Sequence, residues 1–409
     1  MDPKLRPIFN RNYRPELYRR MCALMDARLA TPRFEFRLAE TPLLLPDDLR
    51  EACARVAGEI QEQLRRPEIL AKGEAAVPER YRTPRRDALP HFNSIDLAIA
   101  WDAQGRLVPR LIELQGFSSL YGMQLVQSEI WGEVLAGIPE MPERWTALFS
   151  GLTREGYLDL LRRTVLADAP PEEVVLLDLD PASQKTRPDF HATARLLGVR
   201  AVCATELKRE GRRLLAPLEQ EGRPPRYLPV RRILHRIVFD ELDRRRTVLP
   251  FDYREDLDVV WAAHPTWYWL WSKATLPHLD HPAVPRTRIL SEVEQLPDDL
   301  SGYILKPLFS FAGQGVRVDV DRAFIESIPE AERAHWLLQE KVTYAPALIA
   351  PDGSGVKAEI RMMFLRPDGE DRMTLAINLV RLSRGKMHGV DHNKGLDWVG
   401  SSVAVWPAA

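Results

Sequence analysis

The chain has 409 residues, with 57 Lys plus Arg against 58 Asp plus Glu, a formal charge of −1, 45% hydrophobic residues and 28% charged residues. At roughly 100 to 200 residues per domain this is about two to four folding units, enough to bury a large core. Balanced charge gives no bulk field for a polyanion, which disfavours a general nucleic-acid binder or a polybasic membrane protein, and the composition is far from that of a disordered chain.

The segment Met1-Asp2-Pro3-Lys4-Leu5-Arg6 has no apolar leader run, and no stretch of about 18 uncharged apolar residues occurs. A cytoplasmic protein is expected, with neither nucleic acid nor membrane as a partner and an oligomeric state that the sequence leaves open. Cys22, Cys53 and Cys203 are too scattered for a disulfide framework or a metal knuckle and are expected to be reduced, buried thiols.

From about residue 15 to 70, apolar and charged positions alternate at helical spacing, and Pro46-Asp47-Asp48 makes a helix start, so a helical N-terminal layer is expected. After a polar stretch at 78–86, two apolar runs, 94–101 and 107–114, flank the turn Asp102-Ala103-Gln104-Gly105 and predict a β-hairpin. A helix is expected at 121–135, a buried strand at 174–179, a helix at 189–197 stopped by Gly198, and a strand at 199–203. That βαβ rhythm predicts a small Rossmann-like layer, although no GxGxxG follows Leu179, so dinucleotide binding is unsupported. The polar loop 180–189, at a strand's carboxyl end, is a second candidate contact region against the plainer reading of a loop. The aromatic peak His264 to Trp271 reads as a helix packed into a domain junction. Beyond it, strands are expected at 303–307, 316–320, 336–342, 356–365 and 373–382.

Four constellations can carry chemistry. Lys306-Pro307 is followed by Phe309-Ser310-Phe311-Ala312-Gly313-Gln314-Gly315, a small-residue loop able to aim backbone N–H groups and an ammonium at a polyphosphate, or simply a strand turn with a surface lysine. Gln339-Glu340-Lys341 ends an apolar strand and offers backbone groups to an adenine edge, or runs out to solvent. In Lys357 to Phe364, alternation sets Glu359, Arg361 and Met363 on one face and Ala358, Ile360 and Met362 on the other; charge on an inward face needs partners. Finally, Glu113 and Gln115 lie two apart on one strand, with Asp96 able to lie opposite: hard oxygen donors that suit Mg²⁺, or a hairpin's polar outer face.

Together these pieces resemble the ATP-grasp superfamily. Trp271-Ser272-Lys273 through Pro285-Arg286-Thr287 is similar to the opening of its nucleotide module, Lys306-Pro307 with the glycine loop to its phosphate loop, Gln339-Glu340 to its adenine hinge, and Glu359-Ile360-Arg361 to the strand after it. The metal element, normally last, comes early here as Asp96 and Glu113-Leu114-Gln115, and that permuted order, with the string Ile112 to Leu120, resembles the synthetase part of glutathionylspermidine synthetase. The resemblance spans about residues 90–135 and 264–400. It departs at Gln115, where Asn is usual, and at Ser94, where those synthetases carry an arginine, and it leaves the substrates open.

The resemblance implies an α/β (α+β) ATP-grasp fold in permuted order, divided as 1–150, 151–263 and 264–409: a helical region with the metal hairpin, a Rossmann-like substrate layer, and the nucleotide region. It implies an ATP-dependent carboxylate-amine ligase working through an acyl phosphate, with a small-molecule or peptide carboxylate and an amine as substrates. ATP would be held by Lys273, Lys306, Ala312, Gly313, Gln314, Gly315, Gln339, Glu340 and Lys341, and two Mg²⁺ by Asp96, Glu113 and Gln115. Arg361 and Arg384 would stabilise the acyl phosphate, with Arg381 as the other candidate, and Ser118 and Ser119 would touch substrate. An ATP-grasp phosphotransferase, a nucleotide-binding scaffold without catalysis, and a protein in which every motif is structural are the alternatives.

Overall fold

The computed structural model describes residues 1–30, 36–309, 315–385, 393 and 395–408. Four helices come first: α1 (Leu5–Asn12), α2 (Pro15–Leu29), α3 (Asp47–Leu64) and α4 (Pro67–Ala75). Pro15 and Pro67 open their helices, where a missing N–H costs no hydrogen bond. Asp47 and Asp48 put acid in the first turn of α3, where the helix dipole favours it. Leu49, Cys53, Val56, Ile60 and Leu64, three or four apart, are its buried face. Of the three thiols only Cys53 is buried; Cys22 and Cys203 are half-buried, because their elements lie nearer the surface.

The expected hairpin forms as β1 (Phe92–Trp101) and β2 (Leu107–Gln115), its turn held by Asp102, which accepts from the N–H groups of Gln104 and Arg106. Then follow α5 (Tyr121–Ala136), α6 (Arg154–Val165), β3 (Val174–Asp178), α7 (Arg187–Leu197), β4 (Arg200–Cys203), β5 (Arg232–His235) and β6 (Val260–Trp261). The last four strands are parallel in the order β6, β5, β3, β4, which is the predicted α/β layer. The aromatic peak makes a single helical turn, Trp267–Leu270, and its three tryptophans are buried, with Trp269 stacked on Tyr81.

Next, β7 (Thr287–Ile289), β8 (Tyr303–Pro307) and β9 (Trp336–Glu340) form a small antiparallel sheet with β9 in the middle. It has a core of its own, made of Leu290, Leu300, Leu305, Ile325, Ile328 and Leu338. The strand expected at 316–320 is replaced by one bridge between Arg317 and Leu305, since Asp321 turns the chain by capping the helix Arg322–Ser327. The chain then adds β10 (Pro346–Ile349), β11 (Gly355–Leu365), β12 (Thr374–Ser383) and β13 (Gly400–Ser402).

These late strands join the early hairpin in one sheet, ordered β13, β12, β11, β1, β2, with β10 also paired to β11. Helices α3, α5 and α6 pack on this sheet. Both faces of β11 are buried: Ala358, Ile360 and Met362 are fully so, and Glu359 and Arg361 nearly so. No helix among the described residues is long and apolar enough to cross a membrane.

Candidate functional site

The register of β2, β1 and β11 sets Glu113 opposite Asp96 and Asp96 opposite Arg361, so the three side chains share one face in a row across three strands. Neighbouring rows set Gln115 opposite Ser94, and Glu359 opposite Arg381 of β12. Asp96 is completely buried; Arg361 donates Nε and Nη2 to its two oxygens at 2.7 and 2.8 Å, and Arg381 donates to Oδ2 as well. Burial alone would raise the Asp96 pKa, but the two guanidinium groups outweigh it and hold the carboxyl below its ordinary range. Arg381 also pairs with Glu359 at 2.9 Å, and Tyr344 donates its hydroxyl to the same carboxylate. For Arg381, burial works against the charge, and Glu359 with Asp96 more than restores it.

On the other side of Asp96 two buried lysines reach β2 at neighbouring residues. A bulge in β2 leaves Ile112 without a partner on β1, and its carbonyl accepts from Lys306 Nζ of β8 at 3.2 Å. Lys273 is buried with its Nζ 3.6 Å from Glu113 Oε1. Burial, helped by the neighbouring Lys273 charge and opposed by Glu113, brings the Lys306 pKa down to about 8. Lys273 is placed by a close backbone approach: the Gly116 N–H donates to Trp271 O at 2.7 Å, and a Cβ on Gly116 would come 2.2 Å from Trp267 O, so only glycine fits. Glu113, Gln115, Gly116, Lys273 and Phe309 line a narrow cleft of about 40 Å³.

The other candidates are placed as follows. Gly315 has φ +73° and its Cβ position lies 2.7 Å from Pro307 Cγ, a turn that needs glycine; Ala312, Gly313 and Gln314 lie outside the described residues. Gln339 is buried on β9 and donates Nε2 to Thr287 Oγ1 at 2.8 Å. The N–H groups of Glu340 and Lys341 donate to the carbonyls of Arg286 and Gly302, and Lys341 Nζ to that of Ser301. Ser118 Oγ donates to His235 O, while Ser119 Oγ accepts from Arg236, itself paired with buried Asp189 at 2.6 Å. The two serines thus tie the hairpin to the end of β5. Arg384 stands apart from Asp96, held by Asp397 and Asp352 at 2.5 and 2.9 Å.

The far end of the row opens on a cavity of about 750 Å³. Arg361, Leu379, Arg381 and Leu382 of the large sheet face, across it, Phe36, Arg37, Leu120, Lys185 and Thr186, with part of 393–401 as a third wall. Lys185 and Thr186 belong to the loop after β3, so the polar loop 180–189 does reach a cavity. Sequence reasoning missed Tyr344 and Arg37; Tyr344 has no local signal because its partner Glu359 is known only once β10 is paired to β11.

The donor set is compatible with polyphosphate and with a divalent cation in part. Lys273 beside Glu113 and Lys306 on the Ile112 carbonyl bring two buried ammonium groups near one another, a setting that suits an anion, and Glu113 with Gln115 offers hard oxygens on one face at the cleft. Asp96 is arranged differently, since both its oxygens are engaged by arginine. The one group of three metal-capable side chains drawn together among the described residues, Asp87, His91 and Asp368, lies elsewhere and is braced by Arg366 and Arg232.

No family model matches the chain, and no curated protein matches it in sequence. Among solved structures it is similar to a glutathione synthetase-like effector from Globodera pallida in its apo form, with 12% identity, a TM-score of 0.52, and 90% of this chain covered against 94% of that one. The likeness extends over nearly the whole of both chains and shows a shared mixed α/β architecture.

Proposed function

We propose that the protein is an ATP-dependent carboxylate-amine ligase of permuted ATP-grasp type. The observation that carries this reading is the Glu113, Asp96, Arg361 row, which joins a cleft lined by buried Lys273, with buried Lys306 on the neighbouring Ile112 carbonyl, to a cavity edged by two arginines. In the proposed reaction a carboxylate oxygen attacks the γ-phosphorus of ATP and the bond to ADP breaks, giving an acyl phosphate. An amine nitrogen then attacks the acyl carbon, phosphate leaves, and the nitrogen gives up a proton. Such chemistry depends on positioning and charge neutralisation.

Lys273 and Lys306 would neutralise the phosphates. Magnesium, held by Glu113 and Gln115 together with phosphate oxygens, would supply further neutralisation of the transferring group. Asp96 would keep Arg361 and Arg381 aimed at the acyl phosphate rather than hold metal itself. A cleft of about 40 Å³ is far below the roughly 300 to 1,000 Å³ of ordinary ligand sites, so nucleotide entry requires the small sheet to move away from β2.

The test is ADP release with Mg·ATP over a panel of carboxylates and amines, alongside nucleotide affinity. Folded Lys306→Ala and Glu113→Ala proteins are expected to lose at least tenfold in Mg·ATP affinity; wild-type affinity in both would overturn the site. The engagement of Asp96 by two arginines favours a second reading, a nucleotide-binding scaffold, which would bind Mg·ATP and release no ADP with any acceptor.

A further inference from the structure

Resting on the ligase reading, we propose that the wide cavity selects a carboxylate with a long apolar body and rejects polyamines. The charge pattern of its walls supplies the first argument. Arg361 and Arg381 are balanced by Asp96 and Glu359, Arg37 by Glu40, and Asp397 by Arg384. Lys185, exposed at the rim, has no acid within ion-pair distance among the described residues. Arg381 Nε is buried without an acceptor there. Among the described residues the rim cation calls for an anionic group, and no lining acid is left over for an ammonium.

The rest of the wall supplies the second. Phe36, Leu120, Leu379, Leu382, Leu396 and Val399 line a space of about 750 Å³, within the range that buries most of a small organic molecule. A compact polar substrate would leave that surface wet, whereas a chain or ring attached to the carboxylate would cover it.

The experiment is calorimetric titration of the full chain, without nucleotide, by butyrate, hexanoate, octanoate and spermidine. Affinity is expected to rise roughly two- to fourfold per added methylene, with no saturable spermidine binding. Leu396→Asp should weaken octanoate at least tenfold with the melting temperature retained, and Lys185→Ala, on the exposed rim, should weaken all the acids alike. Affinity that does not depend on chain length, or spermidine binding tighter than octanoate, would overturn the proposal. Its failure is separable from that of the ligase reading. Acids that bind in this order while no ADP forms would sink the ligase; ADP formed with a compact polar acid while octanoate fails to bind would sink the cavity assignment.

Discussion

Asp96 and Arg361 face each other across adjacent strands and form a two-point ion pair at 2.7 and 2.8 Å, with the acid wholly out of solvent. Removing one partner of a buried pair strands the other charge, at a cost of about 3 to 5 kcal/mol. Asp96→Ala is therefore expected to destabilise by that amount in urea unfolding, and Arg361→Met/Asp96→Leu together by less than Asp96→Ala alone. A single substitution within 1 kcal/mol of wild type would show that the pair is not closed in solution.

Arg384 gives the contrasting case. Its partners Asp352 and Asp397 are exposed, and pairs of that kind contribute about 0 to 1 kcal/mol. Arg384→Ala should change unfolding free energy by no more than about 1 kcal/mol, and under the proposed function should keep most ADP release, while Arg361→Lys, which loses the forked geometry, should lower it at least tenfold. Equal losses in the two variants would return Arg384 to the reacting group.

The lowered Lys306 pKa, about 8, sets a pH dependence. In the free protein the ammonium is present below about pH 8 and is lost above it, so Mg·ATP affinity should weaken as pH rises through that value. A bound polyphosphate would raise the pKa, which means proton uptake on binding near pH 8, measurable as a buffer-dependent enthalpy. In Lys306→Arg, charged throughout, the affinity should stay flat from pH 7 to 9; a decline equal to that of wild type would assign the titration to another group.

Gly116 links the hairpin to the tryptophan turn through contact too close for a side chain. Gly116→Ala should push residues 267–271 away, withdraw Lys273 from Glu113, and weaken Mg·ATP at least tenfold. Tryptophan fluorescence should shift with it, since Trp267 and Trp271 pack edge to face at 5.1 Å beside this contact. An unchanged spectrum and affinity would mean that the backbone relaxes without disturbing the lysine.

Much of this site is written locally. The two-residue spacing of Glu113 and Gln115, the alternation of Glu359 and Arg361, and the turn at Asp102 each fix a face or a hairpin from neighbouring residues alone, and the register agrees. What local pattern could not say is who pairs with whom at a distance. Arg384 and Arg381 look interchangeable in sequence, and only the pairing of β12 with β11 and β13 puts Arg381 beside Asp96. Ser118 and Ser119 look like free hydroxyls until β5 arrives beneath them. The strand expected at 316–320 failed for a local reason, the capping aspartate Asp321, whose helix competes with pairing.

The joining of an early hairpin to late strands has a consequence for synthesis. Asp96 and Arg361 are separated by 265 positions, so a ribosome releases most of the chain before the acid meets its base. Until then β1 presents an open edge and an uncompensated carboxylate, and contacts of such sequence separation form slowly. The nascent protein should thus lean on chaperones until residues 355–383 emerge, and truncation before them should yield an aggregating fragment rather than a half-active one.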